Sequence, residues 1–243
     1  MAIPARAATV AAAASAAIVI AGCGGGGSPS GSPSPPAGSS AGGATAEPSA
    51  AALVTSMQSS VRQAKSVHVS GHLTNNGLPI SVNLDMHRNG DVSGTVSENG
   101  APFQVIGLNS TIYIKATRLF LQQVKAPTSA CAVVCGKWLQ LTPSQASQLT
   151  GDLSMSSLTG PLTSGQVPKL TEAGRKTIDG QNTWALRAAD GSMLYVSSAS
   201  QHYPLAATTG GGPNEVVLYS RWNSAPEPVA PPANQVLNLN NLK

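Results

Sequence analysis

The chain has 243 residues, 10% of them charged and 4% aromatic, and 14 Lys and Arg against 10 Asp and Glu give a formal net charge of +4. A typical soluble domain is about 25% charged. Charge this sparse excludes a coiled coil, the basic residues are too scattered for a nucleic-acid track, and there are too few long apolar runs for a polytopic membrane protein.

Residues 1–22 read as a secretory signal. Arg6 is the only early charge, and residues 7–21 form an uncharged run ending in Ile18, Val19 and Ile20. That run is shorter than the roughly 20 residues a spanning helix needs. Ile20-Ala21-Gly22-Cys23 then resembles the lipobox of bacterial lipoproteins. The resemblance implies that Cys23 becomes a lipid-bearing N-terminus, which would anchor the protein on the extracytoplasmic face of the cell membrane. Two acyl chains, at about 0.8 kcal/mol per buried CH₂, would hold it there durably. The alternatives are an ordinary secreted protein with a chance Cys and an uncleaved N-terminal anchor.

Residues 23–49 are the expected tether. Apart from Glu47, residues 24–52 are all Gly, Ala, Ser, Pro or Thr. Such a segment has nothing to bury and cannot offset its ordering entropy. A flexible coil of this length reaches roughly 30 Å.

A single domain is expected over 50–243. Leu53, Val54, Met57, Val61 and Ala64 recur at helical spacing and predict a helix over 49–65. The period then changes to two. Val67, Val69 and Leu73 alternate with His68, Ser70 and Thr74, and Ile80, Val82, Leu84 and Met86 alternate with Ser81, Asn83, Asp85 and His87. This predicts half-buried antiparallel strands. Asn-Gly pairs at 76–77, 89–90 and 99–100 mark the turns. Further strands are expected near 91–97, 102–108 and 110–116, with another over 119–124.

Lys137 to Leu141 reads as a strand end, and Thr142-Pro143 opens a helix with Thr142 as N-cap. One or two short helices fill 144–173. Strand pattern returns near 174–178, 182–189, 192–197, 204–209 and 215–222, with turns at Asp179-Gly180 and Asp190-Gly191 and a hairpin loop at 210–213. The tail after Trp222 holds Pro226, Pro228, Pro231 and Pro232 and predicts an irregular segment. About ten strands are expected in all.

Several stretches resemble the actinobacterial LppX and LprA/F/G lipoproteins of the LolA-like group. They are residues 66–73, 109–115, 136–139 and 201–205, the last followed by a strand ending at Trp222 and the Pro-rich tail. The resemblance implies an α+β fold: a curved antiparallel sheet, or half-barrel, with helices packed on its concave face. It also implies a lipid or glycolipid ligand in a hydrophobic cavity, no cofactor and no catalytic motif. Val82, Leu84, Phe103, Val105, Ile112, Ile114, Trp184 and Leu186 are the candidate lining residues. A closed core built from the same side chains is the alternative. A protein-interaction or sensor module on the same fold is the alternative function.

Cys131 and Cys135 enclose a five-residue loop and are expected to pair outside the cytoplasm. A redox pair and half a metal site are the rival readings. His68 and His72 lie about 13 Å apart on a strand, too far to share an ion. Both are expected to face solvent, and His87 and His202 have no evident partner. No Gly-x-Ser-x-Gly elbow, paired acid or phosphate loop occurs. The chain therefore reads as a monomeric non-enzyme with no metal, no nucleic-acid partner and a membrane as its first partner.

Overall fold

Alternating side chains and Asn- or Gly-bearing turns carry most of the chain into strands. The computed structural model describes residues 47–75, 77–164, 167, 169–208 and 215–238. The signal, Cys23, nearly all of the tether and the 210–213 loop lie outside the described residues. Every described element belongs to one compact unit, Ala46–Lys243. The order is α1 (Ala50–Gln63), β1 (Ser66–Asn75), β2 (Leu78–His87), β3 (Val92–Glu98), β4 (Ala101–Leu108) and β5 (Thr111–Ala116). There follow α2 (Arg118–Gln123), α3 (Ala130–Val134), β6 (Trp138–Gln140), α4 (Pro143–Asp152) and α5 (Met155–Thr163). A second meander holds β7 (Thr171–Ile178), β8 (Gln181–Arg187), β9 (Met193–Ser197), β10 (Pro204–Thr208) and β11 (Val216–Ser220), and β12 (Val236–Asn238) ends the described chain.

All strands join one open sheet, ordered β12-β6-β5-β4-β3-β2-β1-β11-β10-β9-β8-β7. The two meanders meet where β1 pairs with β11, from His68 opposite Ser220 to Gly71 opposite Val217. Every pairing is antiparallel except β12 with β6. The fold is therefore α+β, a large open antiparallel sheet with a few helices.

Register places the apolar residues in continuous rows. One row crosses the sheet as Val69, Leu84, Gly94, Val105 and Ile114, and its neighbour as Val67, Met86, Val92, Gly107 and Ile112. Ile114 on β5 and Leu186 on β8 belong to the same buried core cluster. Laid flat, eight strand spacings would separate them by about 38 Å. The sheet must therefore curl until its apolar face closes on itself and on the helices.

Two glycines permit that curl. At Gly94, with φ of +145°, a Cβ would stand 2.1 Å from the Asn83 carbonyl oxygen. At Gly71, with φ of +153°, it would stand 2.1 Å from the Val216 carbonyl oxygen. Glycine is the residue that lets two strand backbones approach this closely.

The helices end on specific caps. Ser49 Oγ accepts from the Ala52 amide at the start of α1. At its other end Arg88 donates from Nε to the Ala64 carbonyl (2.6 Å) and from Nη2 to that of Val61 (2.9 Å). A cation on the last carbonyls also complements the helix dipole. Thr142 and Gln145 form a reciprocal capping box for α4, the Thr142 amide donating to Gln145 Oε1 (3.1 Å) and the Gln145 amide to Thr142 Oγ1 (3.4 Å).

Three expectations change. The segment expected as a strand over 119–124 is instead the helix Arg118–Gln123 with Val124 as its C-cap, because Thr117 caps it by accepting from the Phe120 amide (3.2 Å) and Arg, Leu and Gln are strong helix formers. The tail is not wholly irregular: past its prolines, residues 236–238 add β12 beside β6. With that strand the sheet has twelve strands among the described residues, where about ten were expected.

A methyl group at Gly94 has only backbone to push against, whereas at Gly107 it meets the movable ends of Ile112 and Val92 at 2.8 and 2.9 Å. Gly94→Ala should cost about 3 kcal/mol and lower Tm by roughly 6 °C. Gly107→Ala should cost less, and thermal melts of the two variants compare them directly.

Candidate functional site

The eight candidate lining residues do share one face. Val82, Leu84, Phe103, Val105, Ile112, Ile114, Trp184 and Leu186 all belong to the core cluster, and none is more than 9% exposed. They form the floor under the helices. The roof over this floor is thin. α1 contributes Leu53, Met57 and Val61, α4 contributes Ala146, and α5 contributes Met155, Thr159 and Leu162. The side chains of floor and roof that meet there have almost no exposure.

α5 is the weakest part of the roof. It carries Gly160 and an internal Pro161, both poor in helices. Thr159 Oγ1 donates back to the Met155 carbonyl (2.7 Å), a bond that competes with regular helix geometry. α5 is held to α1 by Arg62, whose Nη2 donates to the Thr163 carbonyl (3.1 Å). A small hollow of about 170 Å³ opens beside this contact, lined by Val61, His87, Arg88, Met155 and Thr159 among others.

Two histidines differ from their expected place. His68 is buried on the outer face, with Nδ1 donating to Asp85 Oδ1 at 2.7 Å. Arg221 reaches the same carboxylate oxygen at 3.7 Å. His87 is also buried: Nε2 lies 3.0 Å from the Pro226 carbonyl oxygen, and Nδ1 lies 3.5 Å from Glu227 Oε1. The Pro-rich tail thus packs over His87, which sequence spacing could not show. His202 Nδ1 lies 3.1 Å from the Ser197 carbonyl oxygen.

Beside His68, a wider hollow of about 640 Å³ is lined by Tyr219, Arg221, Asp179 and Leu205 among others. At the far end of the first meander, α2 and α3 flank a hollow of about 430 Å³ that includes Phe103, Lys115, Thr117 and Cys135. Cys131 and Cys135 are joined by a disulfide across α3. Phe120 of α2 packs on Phe103, ring centroids 4.8 Å apart. Sequence reading took α2 for a strand and so missed this corner; the Thr117 cap was the available signal. Among the described residues, no group of three or more His, Cys, Asp or Glu could hold a metal ion, and no helix is long and apolar enough to cross a membrane.

No family model matches the sequence, and no curated protein matches it. Among solved structures, the chain is similar to LprF from Mycobacterium bovis at 16% identity, over 73% of this chain and 96% of that one, with a TM-score of 0.48. It is similar to the lipoprotein LppX of Mycobacterium tuberculosis at 19% identity, over 75% and 99% of the two chains, with a TM-score of 0.43. A LolA-superfamily protein from Nitrosomonas europaea is similar at 12% identity, over 76% and 96%, with a TM-score of 0.23. The solved structures similar to this chain thus include LprF, LppX and a LolA-superfamily protein, the group the sequence stretches resemble.

Removing Asp85 leaves His68 buried without its carboxylate. Asp85→Ala should cost about 1–3 kcal/mol in urea denaturation, and replacing both residues with apolar ones should recover most of that. Burial pushes the Tyr219 hydroxyl up to about 12 from an ordinary value of 10. Between those values the folded chain keeps a proton that the unfolded chain releases. The contribution of Tyr219 is whole below about pH 10 and is lost as pH rises through 12. Thermal stability should therefore fall more steeply over that window in the native chain than in Tyr219→Phe.

Proposed function

We propose that this chain is a membrane-anchored envelope lipoprotein whose concave sheet face binds the acyl chains of a lipid or glycolipid. The observation that carries this reading is the continuous apolar floor under a roof of short helices. Such a floor accepts acyl chains with no buried polar group to desolvate. Because the floor and roof side chains have almost no exposure, entry requires α5 to move away and its few buried side chains to be replaced by lipid. A helix with poor intrinsic propensity, held by few buried contacts, is the element that opens at lowest cost. Attachment through Cys23 would place the head at the bilayer from which lipid is taken. Transfer between membranes belongs to the same proposal.

The near-complete burial of these side chains favours a second reading, in which the same fold is a protein-interaction or sensor module without lipid cargo. Native mass spectrometry separates the two. The unit Ala46–Lys243, secreted from a host that makes envelope lipids, should carry a stoichiometric noncovalent lipid that solvent extraction releases. A bare mass, unchanged after incubation with membrane extract, overturns the lipid reading and leaves the second. In the full chain, Cys23→Ala should abolish incorporation of labelled palmitate.

A further inference from the structure

We propose that α2 and α3 form a cationic, apolar lip that lies on the surface of an anionic lipid bilayer. The inference stands whether or not the core takes acyl chains. Leu119 is 56% exposed, Val124 55% and Val133 62%, all within this corner. Phe120 takes the inward position of α2, so Leu119 is left pointing to solvent. The disulfide spans α3 and fixes the turn that presents Val133.

Charge is segregated in the same place. Residues 99–151 contain no Asp or Glu, while Arg118, Lys125 and Lys137 are exposed around the apolar side chains and Lys115 lies beside them. Lys125 also occupies a position where the backbone favours glycine, with φ of 56°. The Ala126 amide donates to the Leu121 carbonyl (2.9 Å) and the Lys125 amide to that of Gln122 (3.0 Å), a Schellman end to α2. A lysine held there is presented at the helix end despite a local conformational cost. Bulky aliphatic side chains ringed by cations fit the boundary between headgroups and acyl chains; the acid at this end of the sheet is Glu98, paired across the β3–β4 turn with Ala101.

The test uses the unit Ala46–Lys243, which holds every described strand and helix together with the whole core and lacks Cys23. It is co-sedimented with vesicles of equal parts phosphatidylglycerol and phosphatidylcholine, and with phosphatidylcholine alone. Binding is expected to the anionic vesicles only, and to weaken as salt is raised. Lys125→Gly should bind about fivefold more weakly while its Tm holds or rises, because glycine relieves the positive φ. Leu119→Ser should bind roughly tenfold more weakly. Arg187→Gln removes an exposed charge from β8, outside α2 and α3, and should leave binding unchanged. Absence of vesicle binding overturns the proposal, as does an equal loss in Arg187→Gln and Lys125→Gly. Self-association of the unit that Leu119→Ser abolishes, with vesicle binding unaltered, assigns the lip to a second copy instead and also overturns it.

Discussion

At Gly94 the backbones of β2 and β3 come so close that no Cβ fits between them, and at Gly71 the same is true of β1 and β11. These two contacts let the sheet bend across its apolar rows. A flat sheet of this width would expose one whole hydrophobic face, and strongly twisted open sheets rarely grow past about ten strands without curling. Once bent, β5 and β8 contribute to one core, and a few short helices suffice to cover what remains. The position of α1 follows, because Leu53, Met57 and Val61 must reach the centre of the curl.

The polar groups on this frame are tied at its corners. Asp91 is buried in the turn after β2. Its carboxylate accepts from the Asn109 amide (2.9 Å) and from Asn89 Nδ2 (2.8 Å), joining the β2–β3 turn to the β4–β5 turn. Asn223 ties the same end of the strands at the β1–β11 seam: its Oδ1 accepts from the Lys65 amide (2.7 Å) and its backbone amide donates to the Ser66 carbonyl (2.9 Å). Trp222 beside it stacks on Tyr203, centroids 4.8 Å apart, and donates to the Pro204 carbonyl. The seam between the two meanders is therefore latched by hydrogen bonds as well as by the β1–β11 ladder. Buried polar groups that are fully paired specify one register, since a slip would strand each of them without a partner.

Much of this was legible in the residues, for physical reasons. Period-two alternation in β2 and β4 marks which side chains share a face, and Asn-Gly pairs mark where the chain reverses. The eight lining candidates therefore fell together on one buried face, although alternation alone did not decide which face of the sheet is concave. What alternation does not encode is what lies over that face. Whether helices fill the space or leave it open depends on packing between segments far apart in sequence. The same limit explains His87. His68 stands opposite the apolar set and is paired with Asp85, its direct partner across the β1–β2 hairpin, whereas His87 is covered by the 226–227 tail through a contact between segments distant in sequence. The 119–124 segment misled because Leu-Phe-Leu suits a strand as well as a helix, and only the Thr117 cap decides between them.

Stability is distributed unevenly, and that distribution bears on function. The floor is held by ladders of backbone hydrogen bonds and by side chains with almost no exposure. The roof over it rests on α5, whose Gly160, Pro161 and back-bonded Thr159 all work against a strong helix. α2 and α3 occupy a third position: they add little to the core, yet a disulfide and a Schellman end hold their shape. Order without burial has no gain from the core to offset its cost, so it points to a surface used outward. A rigid floor, a yielding roof and a stiff cationic lip beside the hollow at Phe103 are separate physical properties of one sheet. Lipid would be met at the lip and accommodated at the floor, and only the roof would have to move between the two.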